Sequence, residues 1–385
     1  MKKLMILGGS ELQIPAFKKA NCLGIQTICI DYDRSAPARK IADSFYCIST
    51  IDKDRVYEIA KKENIDGIIT LASDLPVRTV AYVNQKLGKR TQISPENANK
   101  ATDKSLMREC LRENNVPIPH FEIVDNYKDF SNYCLSKKLP LIIKPALNSG
   151  SRGVFLLKSE KDIDNAFSHA MNNSPTGVIL IEEYISGREV SVEIFSQNGN
   201  ARVLAITDKE TTGSPFFVET GHKIPTNLDK DISYKIKEVA IKANQAIKQI
   251  NGPAHVEIRL NELNEPKVIE IGARMGGDHI TTDLVPLATG HDMIKYTILN
   301  ALEEKFDYSE EINAAAAVSF FSNQLSPNQI NELRQNIYDL SYQRKDQIKE
   351  WKSSNDRSGH ILLTASTRTE LDKKLDDIIG KYNLK

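Results

Sequence analysis

The chain has 385 residues, of which 40% are hydrophobic and 26% charged, and this ordinary globular composition excludes fibrous and disordered proteins. Its 51 basic residues balance 51 acidic ones, so the chain lacks the positive field with which proteins capture nucleic acid. Its apolar runs are far shorter than the roughly 20 residues that cross a bilayer, and the first of them is too short for a signal peptide. We therefore expect small-molecule partners, and neither nucleic acid nor a membrane.

The cysteines are odd in number and none stands in a C-x-x-C pair, which argues against a disulfide framework and a zinc site. This usage fits a reducing, cytoplasmic location. We expect small, buried, apolar side chains at all of these positions: Cys22, Cys29, Cys47, Cys110 and Cys134.

Residues 1–93 are predicted to form a first domain, because short apolar runs alternate there with amphipathic stretches. Strands are predicted at 4–7, 27–30 and 67–70, and helices at 14–23, 53–63 and from about 76. Buried parallel strands read as continuous Val/Ile/Leu runs, and helical crossovers between them predict a doubly wound sheet. The glycines after the first strand lack the full G-x-G-x-x-G spacing, which favours a tight turn over a nicotinamide site.

Three further units are predicted, over residues 94–185, 186–311 and 312–385. The first opens with a helical period after the Ser94 cap and has strands at 141–145, 154–157 and 178–185. The next has antiparallel strands at 190–195 and 202–207, an irregular stretch at 211–222, a helix near 231–250 and paired strands at 254–260 and 267–274. The last has strands at 314–321 and 360–366 and a closing helix.

Two acidic residues stand in otherwise hydrophobic runs on the last strand pair of the third unit, Glu257 in HVEIRL and Glu270 in VIEIGAR. Each would present an inward carboxylate, and buried acids need partners. A magnesium ion that bridges them to nucleotide phosphates would supply that partner. A salt bridge with Arg259 or Arg274 is the alternative, and His255 on the same strand is expected to be structural.

Lys144 ends a buried strand, and Pro145 follows it, so its ammonium is expected beside the Gly/Ser-rich loop 148–154. This position suits a phosphate group, because Gly150 and Gly153 permit a close backbone approach and closure of the loop. The loop lacks the G-x-x-x-x-G-K-[ST] spacing of a Walker motif, and an ordinary hairpin turn is the alternative.

Taken in order, these motifs resemble the ATP-grasp superfamily over roughly residues 1–310, and more loosely beyond them. The motifs are TDKSLMR with Lys104, IIKP with Lys144, the loop NSGSRGV, the segment EEYISGRE, and the carboxylate pair followed by Arg274 in EIGARMGGD. The resemblance implies a mixed α/β and α+β chain: a doubly wound parallel-sheet domain, the two-subdomain ATP-grasp fold, and a small C-terminal α+β subdomain.

The resemblance also implies ATP and Mg²⁺, with Mn²⁺ as a substitute, as the cofactors. Lys104 and Lys144 would bind phosphates, Glu189 the ribose, and Glu257 and Glu270 the metal. The implied nucleotide-binding set is Lys104, Lys144, Ser149, Gly150, Ser151, Gly153, Glu182, Glu183, Tyr184, Ile185 and Glu189. Many members have Asn two residues after the second metal acid, where this chain has Gly272, so the number of metal ions stays open.

The reaction of the superfamily is the attack of a carboxylate on the γ-phosphate of ATP, which gives an acylphosphate that an amine or a similar nucleophile opens. Arg274 would stabilise this intermediate. The segment ITDKETTGSPFFVETGHKIPT with GARMGGD looks like the L-amino-acid ligases that make dipeptides. In that family Glu219 and His222 would line the amino-acid site, and Gly277 would meet the substrate carboxylate or the acylphosphate.

We therefore predict an ATP-dependent carboxylate–amine or amino-acid ligase that releases ADP and phosphate. The alternatives are a purine-biosynthesis-like or carbamoyl-phosphate-type enzyme that activates bicarbonate or formate, and a nucleotide-binding regulator without turnover. A homodimer is expected by analogy alone, and biotin chemistry is not expected. Weaker candidates for substrate or phosphate contacts are Gly9, Ser10, Asp31, Asp74, Arg152, Asp278 and His279.

Overall fold

The computed structural model describes residues 1–148, 150, 152–345 and 351–384, which form three β-sheets with helices packed on them. The predicted nucleotide-binding residues Ser149 and Ser151 lie outside these described residues. Within the described ranges, we find no helix with the length and apolar character that crossing a bilayer requires.

The N-terminal sheet is parallel and has the strand order β3-β2-β1-β4. Its strands are β1 (Lys3–Leu7), β2 (Gln26–Asp31), β3 (Ser44–Cys47) and β4 (Gly67–Ile69), and its helices are α1 (Ile14–Cys22), α2 (Lys53–Glu63) and α3 (Pro76–Leu87). Each predicted strand and helix is present. Strand β3 was not predicted, because its sequence SFYC is only half-buried and gives no continuous apolar run.

The cysteine prediction is wrong at two positions. Cys29, Cys110 and Cys134 are buried, whereas Cys22 at the end of α1 and Cys47 at the end of β3 are exposed. All five are free thiols. Burial raises the pKa of Cys29 to about 12, so this thiol stays protonated and behaves as a small apolar side chain.

The second unit is an antiparallel sheet with the order β5-β8-β6-β7. Its strands are β5 (Phe121–Val124), β6 (Leu141–Pro145), β7 (Phe155–Leu157) and β8 (Ile179–Glu183), and its helices are α4 (Pro95–Lys100), α5 (Lys104–Glu113), α6 (Tyr127–Ser136) and α7 (Ile163–Asn172). The segment after Ser94 is two helices instead of one. Asp103 is extended and caps the N–H groups of Ser105 and Leu106, so a new helix begins at Lys104.

The third sheet is the largest and has the order β13-β12-β9-β10-β11-β14-β16-β15. Its strands are β9 (Glu189–Gln197), β10 (Asn200–Thr211), β11 (Glu219–Ile224), β12 (Gly252–Leu260), β13 (Pro266–Gly272), β14 (Ala315–Phe321), β15 (Asp339–Tyr342) and β16 (Gly359–Ala365). Its helices are α8 (Lys230–Ala246), α9 (Val285–Thr289), α10 (Met293–Ala301), α11 (Pro327–Asn336) and α12 (Arg368–Tyr382). The stretch 211–222, which was predicted to be irregular, contains the start of β11.

The C-terminal segment is part of this third sheet, since β14 pairs with β11 and β16 pairs with β14. The segment that follows β13 also packs on the N-terminal domain. A Cβ atom at Gly67 in β4 would lie 2.5 Å from the carbonyl oxygen of Ala301, so the glycine permits α10 to approach the parallel sheet closely. One hydrophobic cluster runs through both parts, and it holds the N-terminal domain against the sheet that carries the acidic residues.

Candidate active site

A cleft of about 1190 Å³, partly open to solvent, lies between the second sheet and the third. It is lined by residues from both sheets, by the start of α5 and by Asp74 of the N-terminal domain. The lining includes most of the residues predicted from the sequence: Lys104, Lys144, Gly150, Arg152, Glu182, Glu183, Tyr184, Ile185, Glu189, Glu219, Glu257, Glu270 and Arg274. Residues far apart in the sequence therefore meet at one site.

Glu257 and Glu270 lie directly opposite each other on β12 and β13, so both carboxylates face the cleft. A register shift follows Glu257, and such bulges re-aim side chains. Lys104 Nζ is 3.0 Å from Oε1 of Glu270 and donates to the carbonyl oxygen of Asn148 at 2.8 Å. The described residues hold no group of three or more acidic, His or Cys side chains placed to bind a metal by themselves. The pair nevertheless suits Mg²⁺, which accepts two carboxylates together with phosphate and water oxygens.

Lys209 was missed by the sequence analysis, although its side chain is almost wholly enclosed in the cleft. Its side chain is 5% exposed, and Nζ lies 2.7 Å from Glu189 Oε1, 3.0 Å from Glu257 Oε1 and 4.0 Å from Glu219 Oε1. Burial alone would lower the pKa of Lys209, but these three carboxylates outweigh burial and raise it well above its ordinary value. The ammonium is therefore charged throughout the physiological pH range.

A buried ion triad stands where the second sheet meets α5. Glu182 accepts from Arg108 Nε at 2.6 Å and from Lys144 Nζ at 2.7 Å. Burial would raise the pKa of Glu182, but the two cations lower it to about 2. Burial lowers the pKa of Lys144. The Glu182 carboxylate opposes this decrease, and the Arg108 guanidinium adds to it. Arg108 was missed, although it lies one helical turn after Lys104 on the same face of α5.

Arg259 and Glu189 form the wall next to the β8–β9 connection. Arg259 Nη1 is 3.3 Å from Glu189 Oε2, and Nη2 donates to the carbonyl oxygen of Gly187 at 3.1 Å. The guanidinium also lies over the ring of Tyr184, 5.3 Å from its centroid. Glu189 is thus held by two cations, Lys209 and Arg259, in a fixed orientation toward the cleft.

His255 lines the cleft, and its interpretation as a structural residue stays a prediction. Nδ1 lies 2.6 Å from Oε1 of the fully buried Glu193, and Nε2 lies 3.5 Å from Oε1 of Glu257. Burial would lower the pKa of His255, but Glu193 outweighs it and raises the pKa to about 9. The ring is therefore a cation at neutral pH and reinforces the ionised state of Glu257.

Arg274 lines the cleft and forms an ion pair with Asp74 of the N-terminal domain. Its Nε donates to Asp74 Oδ1 at 2.7 Å, and Nη1 donates to the carbonyl oxygen of Met275 at 3.1 Å. Burial would lower the pKa of Arg274, but Asp74 raises it above its ordinary value. Asp74, a weaker candidate in the sequence analysis, is thus the acidic partner that orients this guanidinium.

Glu219 stands at the end of the cleft nearest the C-terminal segment. Arg357, which was not predicted, donates from Nη2 to the main-chain oxygen of Glu219 at 2.8 Å, and its Nη1 is 2.9 Å from Asp278 Oδ2. The guanidinium lies 3.7 Å from the centroid of the Phe320 ring. His222 lies behind this wall, with 1% of its side chain exposed and Nε2 3.9 Å from Asp278, so its contact with a substrate stays a prediction.

Several other predicted residues have partners within the chain. Asp31 accepts the N–H of Gly9 at 2.6 Å and the N–H of Asp33 at 2.8 Å, so it organises the turn after β1. Gly153 has φ +80° and packs against Pro145, where a Cβ atom would come within 2.7 Å of Cγ. These contacts explain the residue types without a ligand. The predicted roles of Ser10, His279 and Gly277 in substrate contacts stay predictions.

His360 on β16 gives a testable dependence of stability on pH. Burial, with the nearby His279, lowers its pKa from 6.5 to about 4. The folded state therefore binds this proton less readily than the unfolded state, so the free energy of unfolding should fall as pH drops from 6.5 to 4, by up to about 3 kcal/mol. Urea titrations at pH 7.5 and pH 4.5 should show a smaller loss for His360→Asn than for the wild type. The exposed His169→Asn is the control and should lose as much stability as the wild type. An equal loss in His360→Asn and the wild type would contradict the assignment of this pH dependence to His360.

Two parts of this chain match known families. Residues 137–283 match the family described as "ATP-grasp domain", and residues 7–87 match "PylC-like, N-terminal domain". The chain carries an ATP-grasp domain. The expected ATP-grasp domain and the mixed α/β and α+β fold class, with a parallel N-terminal sheet, are therefore confirmed.

Curated relatives align with this chain over part of their length. The chain is 27% identical over 253 residues to the formate-dependent phosphoribosylglycinamide formyltransferase of Haemophilus ducreyi, covering 64% of this chain and 60% of that protein. It is 25% identical to the protein of the same name from Sulfurisphaera tokodaii, covering 62% of each. The match thus spans about three fifths of these relatives.

Solved structures match this chain over nearly its whole length. Phosphoribosylglycinamide synthetase from Anaerococcus prevotii is 26% identical with a TM-score of 0.75, and covers 98% of both chains. L-amino acid ligase from Bacillus licheniformis has a TM-score of 0.81 at 21% identity, covering 98% of this chain and 97% of that one. The second likeness supports the fold alone.

Proposed function

We propose that this chain is an ATP-dependent ligase that activates a small carboxylic acid as its acylphosphate and joins it to an amine, releasing ADP and phosphate. The observation that carries the proposal is the convergence, in one cleft of an ATP-grasp domain, of Lys104, Lys144, Arg274 and the cross-strand pair Glu257 and Glu270. Cations and metal-binding carboxylates at one point are what phosphoryl transfer requires, because it depends on positioning and charge stabilisation.

In this proposal Lys104 and Lys144 bind phosphate oxygens of ATP, and Glu189 binds the ribose. The main chain from Glu182 to Ile185 contacts the adenine. Gly150 stands at φ +64° with open space around it, so the loop that contains it can approach the phosphates closely. Glu257 and Glu270 would hold Mg²⁺, which would supply charge neutralisation and alignment of the phosphate oxygens.

Other residues of the cleft bind the acid and the amine substrates in this proposal. Arg274, fixed by Asp74, holds the acid substrate and then the acylphosphate through its free N–H groups. Glu219 accepts hydrogen bonds from the ammonium of an amine substrate, and Arg357 fixes the position of Glu219 through its main-chain oxygen. The walls of the cleft would limit the access of water, which otherwise hydrolyses an acylphosphate.

A second candidate has the same chemistry with a different acid. The curated relatives are named formate-dependent phosphoribosylglycinamide formyltransferases, and the Anaerococcus structure is named phosphoribosylglycinamide synthetase. These names favour formate as the activated acid and a phosphoribosyl amine as the acceptor. The segment ITDKETTGSPFFVETGHKIPT, which looks like that of L-amino-acid ligases, keeps amino acids as the first candidate acids to test together with formate.

The test is ADP release from Mg²⁺-ATP with a panel of acids and amines. The panel contains single and paired amino acids, small hydroxy and dicarboxylic acids, and formate or bicarbonate with phosphoribosylglycinamide. ADP release that requires both an acid and an amine, and that is absent in Glu270→Ala, supports the ligase and names its substrate class. ATP binding without ADP release for any pair would favour a regulator without turnover.

Arg357 provides a prediction specific to the substrate end. Arg357→Ala should raise the KM of the amine substrate by at least about tenfold, since hydrogen bonds to charged groups contribute about 1.5–3 kcal/mol, and should leave the KM of ATP unchanged. Arg344→Ala, an exposed arginine of the same segment, is the control and should match the wild type. An equal rise in the KM of the amine and the KM of ATP would contradict a role of Arg357 that is confined to the binding of the amine substrate.

A further inference from the structure

A second cavity lies beside the loop of residues 212–218, which joins β10 to β11. It has a volume of about 970 Å³ and is partly open to solvent. Phe217 and Glu219 line the cleft described above, whereas the neighbouring Phe216 and Thr220 line this second cavity. The loop is therefore a wall of both cavities, and the proposed reaction uses only the first of them.

Aromatic side chains from three parts of the chain line the second cavity, which we call the aromatic cavity. They are Phe216 of the loop, Phe320 of β14 and Trp351, and Ile379 and Leu384 add further apolar surface. Aromatic faces attract both apolar rings and ammonium groups. Small-molecule sites are typically cavities of this size, with mainly apolar walls and few polar groups. The aromatic cavity therefore has the size and the lining of a small-molecule site.

Hydrogen bonds within the chain hold the walls of the aromatic cavity. The N–H of Thr212 donates to the carbonyl oxygen of Val218 at 2.8 Å and closes the loop. On the opposite part of the lining, Trp351 Nε1 donates to Ser322 Oγ at 2.8 Å. A ligand would bind without first ordering these walls, and this preorganisation favours affinity.

Glu210 decides the charge of the ligand that fits the aromatic cavity. Among the described residues that line the cavity, Glu210 is the only charged one, and the polar groups beside it are hydroxyls. Its side chain is 46% exposed, and its Oε1 lies 2.7 Å from Lys223 Nζ. A carboxylate offers about four acceptor sites, so this ion pair leaves acceptor capacity for a ligand. The lining thus favours an amine over a carboxylate or a phosphate.

We propose that the aromatic cavity is a second ligand site, which binds a small amine with an aromatic or branched aliphatic body. The apolar body lies among Phe216, Phe320 and Trp351, and the ammonium donates to Glu210. This site goes beyond the proposed function, because the amine substrate of the ligase is assigned to Glu219 in the cleft.

The test uses the fluorescence of Trp351, which is the only tryptophan of the chain and therefore reports on this cavity directly. The full chain is titrated with phenethylamine, with phenethyl alcohol, which has the same ring without the charge, and with methylamine, which has the charge without the ring. We expect phenethylamine to change the emission saturably, with a Kd of about 1 mM or below. Phenethyl alcohol should bind about fivefold more weakly, the scale of a partly exposed ion pair, and methylamine should cause no change.

Two variants separate the aromatic cavity from the cleft. Glu210→Gln should weaken the binding of phenethylamine to the level of the alcohol, and it should fold because Glu210 lies half exposed. Glu219→Gln is the matched control: it removes an acid that lines the cleft and should leave the affinity for phenethylamine unchanged. Phe216→Ala should weaken both aromatic probes by about tenfold, because a ring contact is lost together with its apolar area.

Three results would overturn the inference. One is the absence of a saturable change with phenethylamine up to about 10 mM, a range that includes weak specific binding. Another is an equal affinity of the wild type for phenethylamine and for the alcohol. The third is a loss of affinity in Glu219→Gln but not in Glu210→Gln, which would assign the probe to the cleft. The titration needs neither nucleotide nor turnover, so its outcome is independent of the proposed reaction.

Discussion

Replacing Glu270 by Gln should reduce substrate-dependent ADP formation by about a thousandfold, the scale seen when a preorganised electrostatic group is removed from an active site. The amide keeps the size of the side chain but removes the charge that pairs with Lys104 and that would hold the metal. Steady-state rates at saturating Mg²⁺-ATP measure the effect. The loss should appear mainly in kcat, because the lysines and the adenine contacts remain.

Glu262→Gln is the matched control for this variant, since Glu262 is an exposed acid in the turn between β12 and β13. It should retain wild-type activity. Raising the Mg²⁺ concentration should restore part of the activity of Glu270→Gln if the carboxylate acts through the metal. An active Glu270→Gln enzyme at low Mg²⁺ would contradict the assignment of Glu270 as a metal ligand.

Replacing Glu182 by Gln should lower the free energy of unfolding by about 3–5 kcal/mol, because it leaves two buried cations without their anion. Arg108 and Lys144 both depend on this carboxylate, at 2.6 and 2.7 Å. Urea denaturation at pH 7 measures the change. Glu183→Gln, on the same strand but exposed, should change the stability by less than about 0.5 kcal/mol.

The pH dependence gives an independent check on Glu182. Its pKa is about 2 in the folded state against an ordinary value of 4.5, so its contribution is complete above pH 4.5 and is lost as pH falls toward 2. The difference in stability between wild type and Glu182→Gln should therefore shrink over that range. A difference that stays constant from pH 5 to pH 3 would show that the variant acts by repacking and not by the loss of charge.

The sequence was informative where a local pattern carries the chemistry. Lys144 was predicted because it ends an apolar strand, and Glu257 and Glu270 were predicted because two apolar strands flank one short turn. Their cross-strand register follows from that turn. The start of α5 at Lys104 could not be predicted. The helical period of the sequence continues through Asp103, whereas Asp103 itself is extended and interrupts the helix.

The missed residues depend on contacts that no local pattern records. Arg357 meets Glu219 across 138 residues of sequence, and it reaches the site only because β16 joins the same sheet as β11 through β14. Lys209 was overlooked because β10 continues to Thr211, beyond the predicted end of the strand at 207. The ion pair of His255 was not predicted, because nothing in the sequence places Glu193 opposite it.

The most direct test of the proposed reaction follows an oxygen atom. In the proposed chemistry a carboxylate oxygen of the acid forms a bond to the γ-phosphorus as the bond to ADP breaks. The amine then displaces phosphate, which departs with that oxygen. Turnover with an acid labelled with ¹⁸O in its carboxylate should therefore yield inorganic phosphate that carries one ¹⁸O atom, measured by mass spectrometry. Phosphate without the label, in a reaction that still forms the C–N bond, would contradict the acylphosphate intermediate.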